Sequence, residues 1–452
     1  MVLNVWSAGC GGGAAQTGTS DIDEAEDEAP VEAGDEAVDE AGDGKGDGDG
    51  DAEDGGEPGD GDPDEGDPGA PSGPKFDTKS VPDGNAGSCG EGSGDVEFSY
   101  IWIANSDQGT LSKIDTETLV EVARYQIRPD GGGMPSRTSV NLSGDVAVAS
   151  REGGVTKVYA RLADCEEQNG SPGLQTSSGA NDILAWGEEE CIAWHAPMEF
   201  DSQRPIAWTQ GSFNEGDCTW SDQKVWTTGT SGAGGYAEVI RLDGDDGSVD
   251  GMVHIPDLTP FNSFGGYGAV VDAEGNLWFN EMFVVGDNLV RVDADDLAYE
   301  LIPSPGRTGY GIAIDEDGRI WTCGNGLVSR YDPDTDDWVD APNLLAYGGC
   351  MVDAEGRLWV SNSDIAPYSI RAYDVETLGL LLSHEMPEHL HGISIDFAGY
   401  VWGVGGAPGI GGGERALRIE PETGTYETVE GLSGAYTYSD MTGFALASSV
   451  QG

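Results

Sequence analysis

The chain is 452 residues long, with 83 Asp and Glu against 21 Lys and Arg and a formal net charge of −62. Such acidity makes nucleic acid and anionic membrane faces poor partners. No apolar run in it is long enough to cross a bilayer as a helix.

Residues 1–10 read MVLNVWSAGC. Ser-Ala-Gly-Cys resembles a bacterial lipobox, in which Cys10 would be acylated and become the mature N-terminus. Residues 11–90 follow as an acidic Gly-, Asp- and Glu-rich linker. Between residues 21 and 74 its lone basic residue is Lys45, and large apolar side chains are almost absent. A segment of this composition cannot bury a core and is expected to stay disordered. These features predict an exported protein of a bacterial cell envelope, in the periplasm or on the outer-membrane surface. It would touch the membrane by its lipid anchor alone and act as a monomer.

The remainder, 91–452, carries a repeat. Residues 98–127 give a Trp-bearing strand and two outer strands, with no inner strand before them. Residues 137–162 show a degraded repeat, with Gly144 at the turn and Ala147 where Trp is expected. PIAWTQG (205–211) and QKVWTTG (223–229) flank an insertion that contains Cys218. Four clear copies follow: GAVVDAEGNLW (268–278), GIAIDEDGRIW (311–321), GCMVDAEGRLW (349–359) and GISIDFAGYVW (392–402). Alternating apolar residues make a strand, Asp-x-x-Gly a tight turn, and a second strand carries the Trp. Two more alternating strands follow each copy. The anchoring Asp moves from 272 to 315, 353 and 396, steps of about 38 to 43 residues, which is the length of a propeller blade. The fold class is therefore all-β, a propeller of about seven blades. Phe444 to Val450 is expected to supply the innermost strand of the blade containing Trp102, closing the ring with the C-terminal segment.

Seven cysteines are present. If Cys10 is lipidated, six remain, an even number that reads as disulfides in an exported protein. Cys323 and Cys350 lie on neighbouring blades and Cys165 and Cys191 flank one insertion, which leaves Cys89 with Cys218 by elimination.

Loops that lead into inner strands should line one mouth of the central channel. They bring Arg137, Arg204, Tyr267, Arg307, Tyr310, His391, Tyr438 and Asp440 towards that mouth. Two outcomes stay open for the arginines. They could form a pocket for an anionic or polar small ligand, or pair with the abundant carboxylates and staple blades together.

The phrase D-x-x-G-x-[LI]-W resembles the repeat of the streptogramin B (virginiamycin B) lyase family. LWFNE (277–281) is close to its Trp-Phe-Thr-Glu phrase, and WIANSDQGTLSKIDTETLVEV resembles the YVTN-type surface propellers. The whole chain looks like propeller lipoproteins predicted in myxobacteria. The lyase resemblance implies a metal-assisted elimination. His391 would be the general base and Glu281 would hold a divalent cation, Mg or Ca. After His391, however, the chain reads VWGVGG where the family has its Glu phrase. Two functions follow as expectations. One is an envelope-tethered binding or scaffold module for an unidentified small molecule or envelope protein. The other is a lyase-like or lactonase-like enzyme acting at the mouth.

Overall fold

In each clear repeat a single carboxylate organises the hairpin. Asp272 Oδ1 accepts the backbone N–H groups of Glu274 (3.1 Å) and Asn276 (2.9 Å). Its Oδ2 accepts the indole N–H of Trp278 at 2.8 Å. The same oxygen of Asp315, Asp353 and Asp396 takes the indoles of Trp321, Trp359 and Trp402 at 2.8, 2.6 and 2.8 Å. A buried indole N–H needs an acceptor, and the repeat supplies one six residues upstream. The turn glycine is required by its backbone: Gly275 has φ +86°.

The computed structural model describes residues 99–449 apart from 215, 217, 218, 233, 257, 259–263, 283–286, 308, 325, 342–347, 363–365 and 408–410. Cys10, the acidic linker, Cys89 and Cys218 lie outside the described residues. The strands form five four-stranded antiparallel sheets, one seven-stranded sheet and a two-stranded hairpin, Ser212–Asn214 with Thr219–Ser221. The seven-stranded sheet is two blades joined through the single pairing Asn105↔Ala435. The described residues thus make a seven-bladed β-propeller. Six inner strands are Pro135–Val140, Ser202–Trp208, Gly268–Val271, Gly311–Ile314, Cys350–Val352 and Leu390–Ile395.

The seventh inner position corrects the sequence reading. Phe444–Ser449 is a short helix, not a strand. Residues 436–441 run beside Tyr100–Asn105 instead, with Tyr436 N–H donating to Ala104 O (3.1 Å) and Trp102 N–H to Met441 O (2.9 Å). On the other flank, Ser439 Oγ donates to Thr138 O at 2.6 Å. The ring still closes through the C-terminal segment, but about eight residues earlier than expected. Gly443, at φ +87°, ends the extended segment, and the helix that follows plugs the channel. Its Phe444 and Ala445 pack with Met351, Ile393 and Ile395, and its Leu446 with Ile206.

The core lies between blades. Trp102, Trp226, Trp321, Trp359 and Trp402 have no exposed surface, and Trp278 very little. Ion pairs add to this: Arg319 takes Asp315 (2.8 Å) in its own hairpin and Glu376 (2.6 Å) in the next blade. Two of the three expected disulfides lie among the described residues, Cys165–Cys191 and Cys323–Cys350, with Cα separations of 4.6 and 6.2 Å. The Gly-rich stretch after Trp402 extends two paired strands through Gly406↔Gly412 and Ala407↔Gly411.

Candidate functional site

The closing segment 436–441 runs extended down the channel wall, and Tyr436 and Tyr438 join the mouth cluster while Asp440 lies deeper, beside the helix. At the mouth, Tyr436 and Tyr438 meet Tyr267 and Tyr310, which stand just before their inner strands. Tyr267 stacks on Tyr438 (5.6 Å, 24°), Tyr310 meets Tyr438 edge-on (6.1 Å), and the hydroxyls of Tyr267 and Tyr436 lie 3.1 Å apart. His391 sits in the same cluster, its ring 4.4 Å from Tyr436, 4.8 Å from Tyr438 and 5.0 Å from Tyr310.

Three arginines lie on these rings. The Arg137 guanidinium is 3.7 Å above Tyr438 and 5.2 Å from Tyr267. Arg151 is 4.1 Å above Tyr436, and Arg204 is 4.5 Å from Phe264 and 5.4 Å from Tyr267. Arg137 is wholly buried and crosses the channel, donating to Tyr310 O (2.9 Å) and Tyr438 O (3.2 Å). The repeat explains its path. Asn141 fills the turn role of Asp272, accepting Ser143 and Asp145 N–H at 2.9 Å. Arg137 then stands four residues before it, where the clear repeats carry Gly268, Gly311, Gly349 and Gly392. A Cβ at Gly268 would lie 3.3 Å from Arg137 Nη1. The missing side chain in a copy two blades on therefore leaves room for the guanidinium.

None of the three arginines meets a carboxylate among the described residues, although Arg124, Arg241, Arg319, Arg357 and Arg418 each do. Arg137 Nε, Arg151 Nε and Nη2, Arg204 Nε, His391 Nε2 and Tyr438 Oη are buried without a hydrogen-bond partner. Burial holds Arg137 below its ordinary pKa. Burial, then His389, Arg137 and Arg151, pushes His391 well below the usual imidazole range, so it is neutral at pH 7. Burial and the neighbouring tyrosines raise Tyr267, and burial raises Tyr436.

Two residues expected at the mouth are engaged elsewhere. Arg307 pairs with Asp340 on the outermost strand of its own blade, Nε to Oδ1 at 2.8 Å and Nη2 to Oδ2 at 3.0 Å. Asp440 points to the plug helix, accepting Gly443 N–H (2.8 Å) and Leu446 N–H (3.2 Å), and it lines an internal cavity of about 30 Å³. Burial outweighs these bonds and pushes Asp440 up to about 6. Glu281 is fully buried, and its Oε2 accepts both the backbone N–H (2.8 Å) and the side-chain Nδ2 (2.7 Å) of Asn288. No group of three His, Cys, Asp or Glu suited to a metal occurs among the described residues. Among the described residues, Glu281 is tied to Asn288 and His391 lies in the aromatic cluster, so the two are not brought together as a pair. Tyr436 was missed by sequence reasoning. The alternation Tyr436-Thr437-Tyr438-Ser439-Asp440, an inward face interleaved with small polar residues, was the signal for it.

No protein-family model matches the chain, and no curated protein matches it. Among solved structures it is similar to a functionally unknown protein from Desulfotomaculum acetoxidans, at 10% identity and TM-score 0.50 over 75% of this chain and 97% of that one. It is also similar to a candidate 6-phosphogluconolactonase from Bacteroides fragilis, at 11% identity and TM-score 0.50 over 75% and 97%. At such identity the likeness supports the propeller fold alone.

Proposed function

We propose that the propeller is a binding module whose mouth takes a small anionic ligand. One observation carries this reading: Arg137, Arg151 and Arg204 share one aromatic cluster and find no carboxylate among the described residues, on a chain with 83 Asp and Glu. A buried cation without a counter-charge is costly, and acidic residues to supply one were abundant. An anion from solution would balance the charge. Guanidinium groups resting on rings keep their N–H edges for planar or bidentate contact with it. Arg151 offers such an edge, with Nε and Nη2 both unpartnered.

Two disulfides suit an oxidising compartment, and with the lipobox-like Cys10 they support a tethered envelope protein. The reading is tested by screening small carboxylates, sulfates and phosphate esters for thermal stabilisation, then measuring affinity for hits. R151A and R204A should each lose about 1.5–3 kcal/mol, a tenfold weakening or more. R307A, whose guanidinium is held by Asp340, should bind as the parent does. Equal affinities across all four proteins would refute it.

A further inference from the structure

The inference concerns which anion the mouth takes and what binding does to His391, and it rests on the reading above. The unpartnered polar atoms there come from separate parts of the ring. Arg151 follows the strand Val146–Ser150, Arg204 lies on Ser202–Trp208, His391 on Leu390–Ile395, and Tyr438 on the closing segment. Donors arriving from several directions suit an oxyanion whose oxygens also point in several directions. A planar carboxylate offers its two oxygens on one side only. Three guanidinium charges in one aromatic box also favour a doubly charged ligand over a singly charged one.

His391 completes the set. It is nearly buried, and its Nε2 has no partner. The groups that face it are Tyr310 before the strand Gly311–Ile314, Tyr436 and Tyr438 on the closing segment, and His389 just ahead of it. Arg137 and Arg151 act on it across the mouth. No carboxylate figures among these groups. Burial does most to keep the imidazole neutral, then His389, and after them Arg137 and Arg151, the two charges among these that an anion would neutralise. Bringing two negative charges to those arginines removes their repulsion, and acceptor oxygens beside the ring replace part of the solvation that burial took away, so His391 holds a proton more tightly once the anion is bound.

We propose that the mouth binds a tetrahedral dianion, of the sulfate or phosphate-monoester class, and that one proton passes from solvent to His391 as the dianion binds. The anion and proton then enter together, and the site moves from three positive charges towards four as the ligand contributes two negative ones. By linkage, the factor by which the bound anion raises the affinity of His391 for its proton equals the factor by which that proton raises the affinity of the site for the anion.

The test uses sulfate, which stays a dianion between pH 5.5 and 8, so any pH dependence belongs to the protein. Calorimetric titration of the full chain in two buffers of different ionisation heat gives both the affinity and the protons taken up. The expected result is an uptake approaching one proton per sulfate, with affinity rising towards acid by up to about tenfold per pH unit. H391Q, which cannot titrate, should bind sulfate with no such slope. Should H391Q fold poorly, the imidazole nitrogen shifts of His391 in the parent protein, recorded with and without sulfate, give the same answer. A change from neutral to protonated supports the proposal, and unchanged shifts overturn it. Sulfate that binds equally at pH 6 and pH 8 without proton uptake overturns the coupling and leaves the anion site standing. Failure of both sulfate and a phosphate monoester to bind at either pH overturns the anion site itself.

Discussion

Truncating the chain before residue 436 or before residue 444 separates the closing strand from the plug helix. The first cut removes both. It strips the partners of Trp102 N–H and Ala104 O, and takes away the buried side chains of Tyr436, Tyr438, Met441, Phe444 and Leu446. At about 1.5–3 kcal/mol for each large side chain, that is about 7–15 kcal/mol of burial, as much as a domain's whole stability. It also exposes the inner edge of the strand Tyr100–Asn105 as a template for aggregation. The second cut keeps residues 436–443 and removes Phe444, Ala445 and Leu446 from the core, the two large side chains among them worth about 3–6 kcal/mol. The shorter chain should yield no cooperative melt by circular dichroism or tryptophan fluorescence. The longer one should melt cooperatively, roughly 5–15 °C below the full chain. If both truncations behave alike, residues 436–443 are not the closing element. If the shorter chain melts like the parent, the ring does not depend on closure there at all.

Two further outcomes are expected. D353N should cost about 2–4 kcal/mol, because it leaves the buried Arg357 guanidinium and the Trp359 indole without their shared carboxylate. D396N should cost clearly less in the same denaturant titration, since Tyr400 stands where Arg357 does and burial already favours the uncharged acid. Asp440, held at about 6 in the folded protein against about 3.9 unfolded, makes the folded state bind the extra proton between those values. Its contribution to stability is present below about pH 4 and is lost as pH rises through 6, on the order of 3 kcal/mol. D440N should therefore flatten that part of the stability–pH curve relative to the parent, and matching slopes would refute the assignment.

The blades were legible because one chemical rule repeats. Asp, turn glycine and Trp keep their spacing in four copies, and the structure shows why: Asp binds the turn with one oxygen and its own Trp with the other. Where the rule lapses, it lapses together. Asn141 keeps the turn but has no second carboxylate oxygen, and Ala147 stands where the indole would need one. The closing strand was misplaced because FALASSV is apolar and short, a pattern that strand and helix share. The true closing segment alternates tyrosines with Thr437 and Ser439, whose hydroxyls reach Ala104 N–H and Thr138 O on the flanking strands rather than an apolar layer.

The mouth was legible in its residue types and not in their partners. Arg137 and Arg307 both precede or enter inner strands, so position along the chain does not separate them. Their frame within the repeat does. Arg307 lies four residues ahead of the repeat's first glycine, Gly311, in the loop, where a bidentate carboxylate on the outermost strand is in reach. Arg137 occupies the glycine position itself. There the backbone of the other blades comes so close to the axis that a Cβ on Gly268 would press on Ile312 at 2.7 Å. A long cation at that point has one way to go, across the channel. What it finds there is carbonyls and aromatic faces, with no acid among the described residues. Substituting the bulkiest cation for the smallest residue in one copy of a repeat is therefore informative in a way that composition is not. It gives up blade symmetry to place charge on the axis, against carbonyls and ring faces, and that placement is what the proposed anion site rests on.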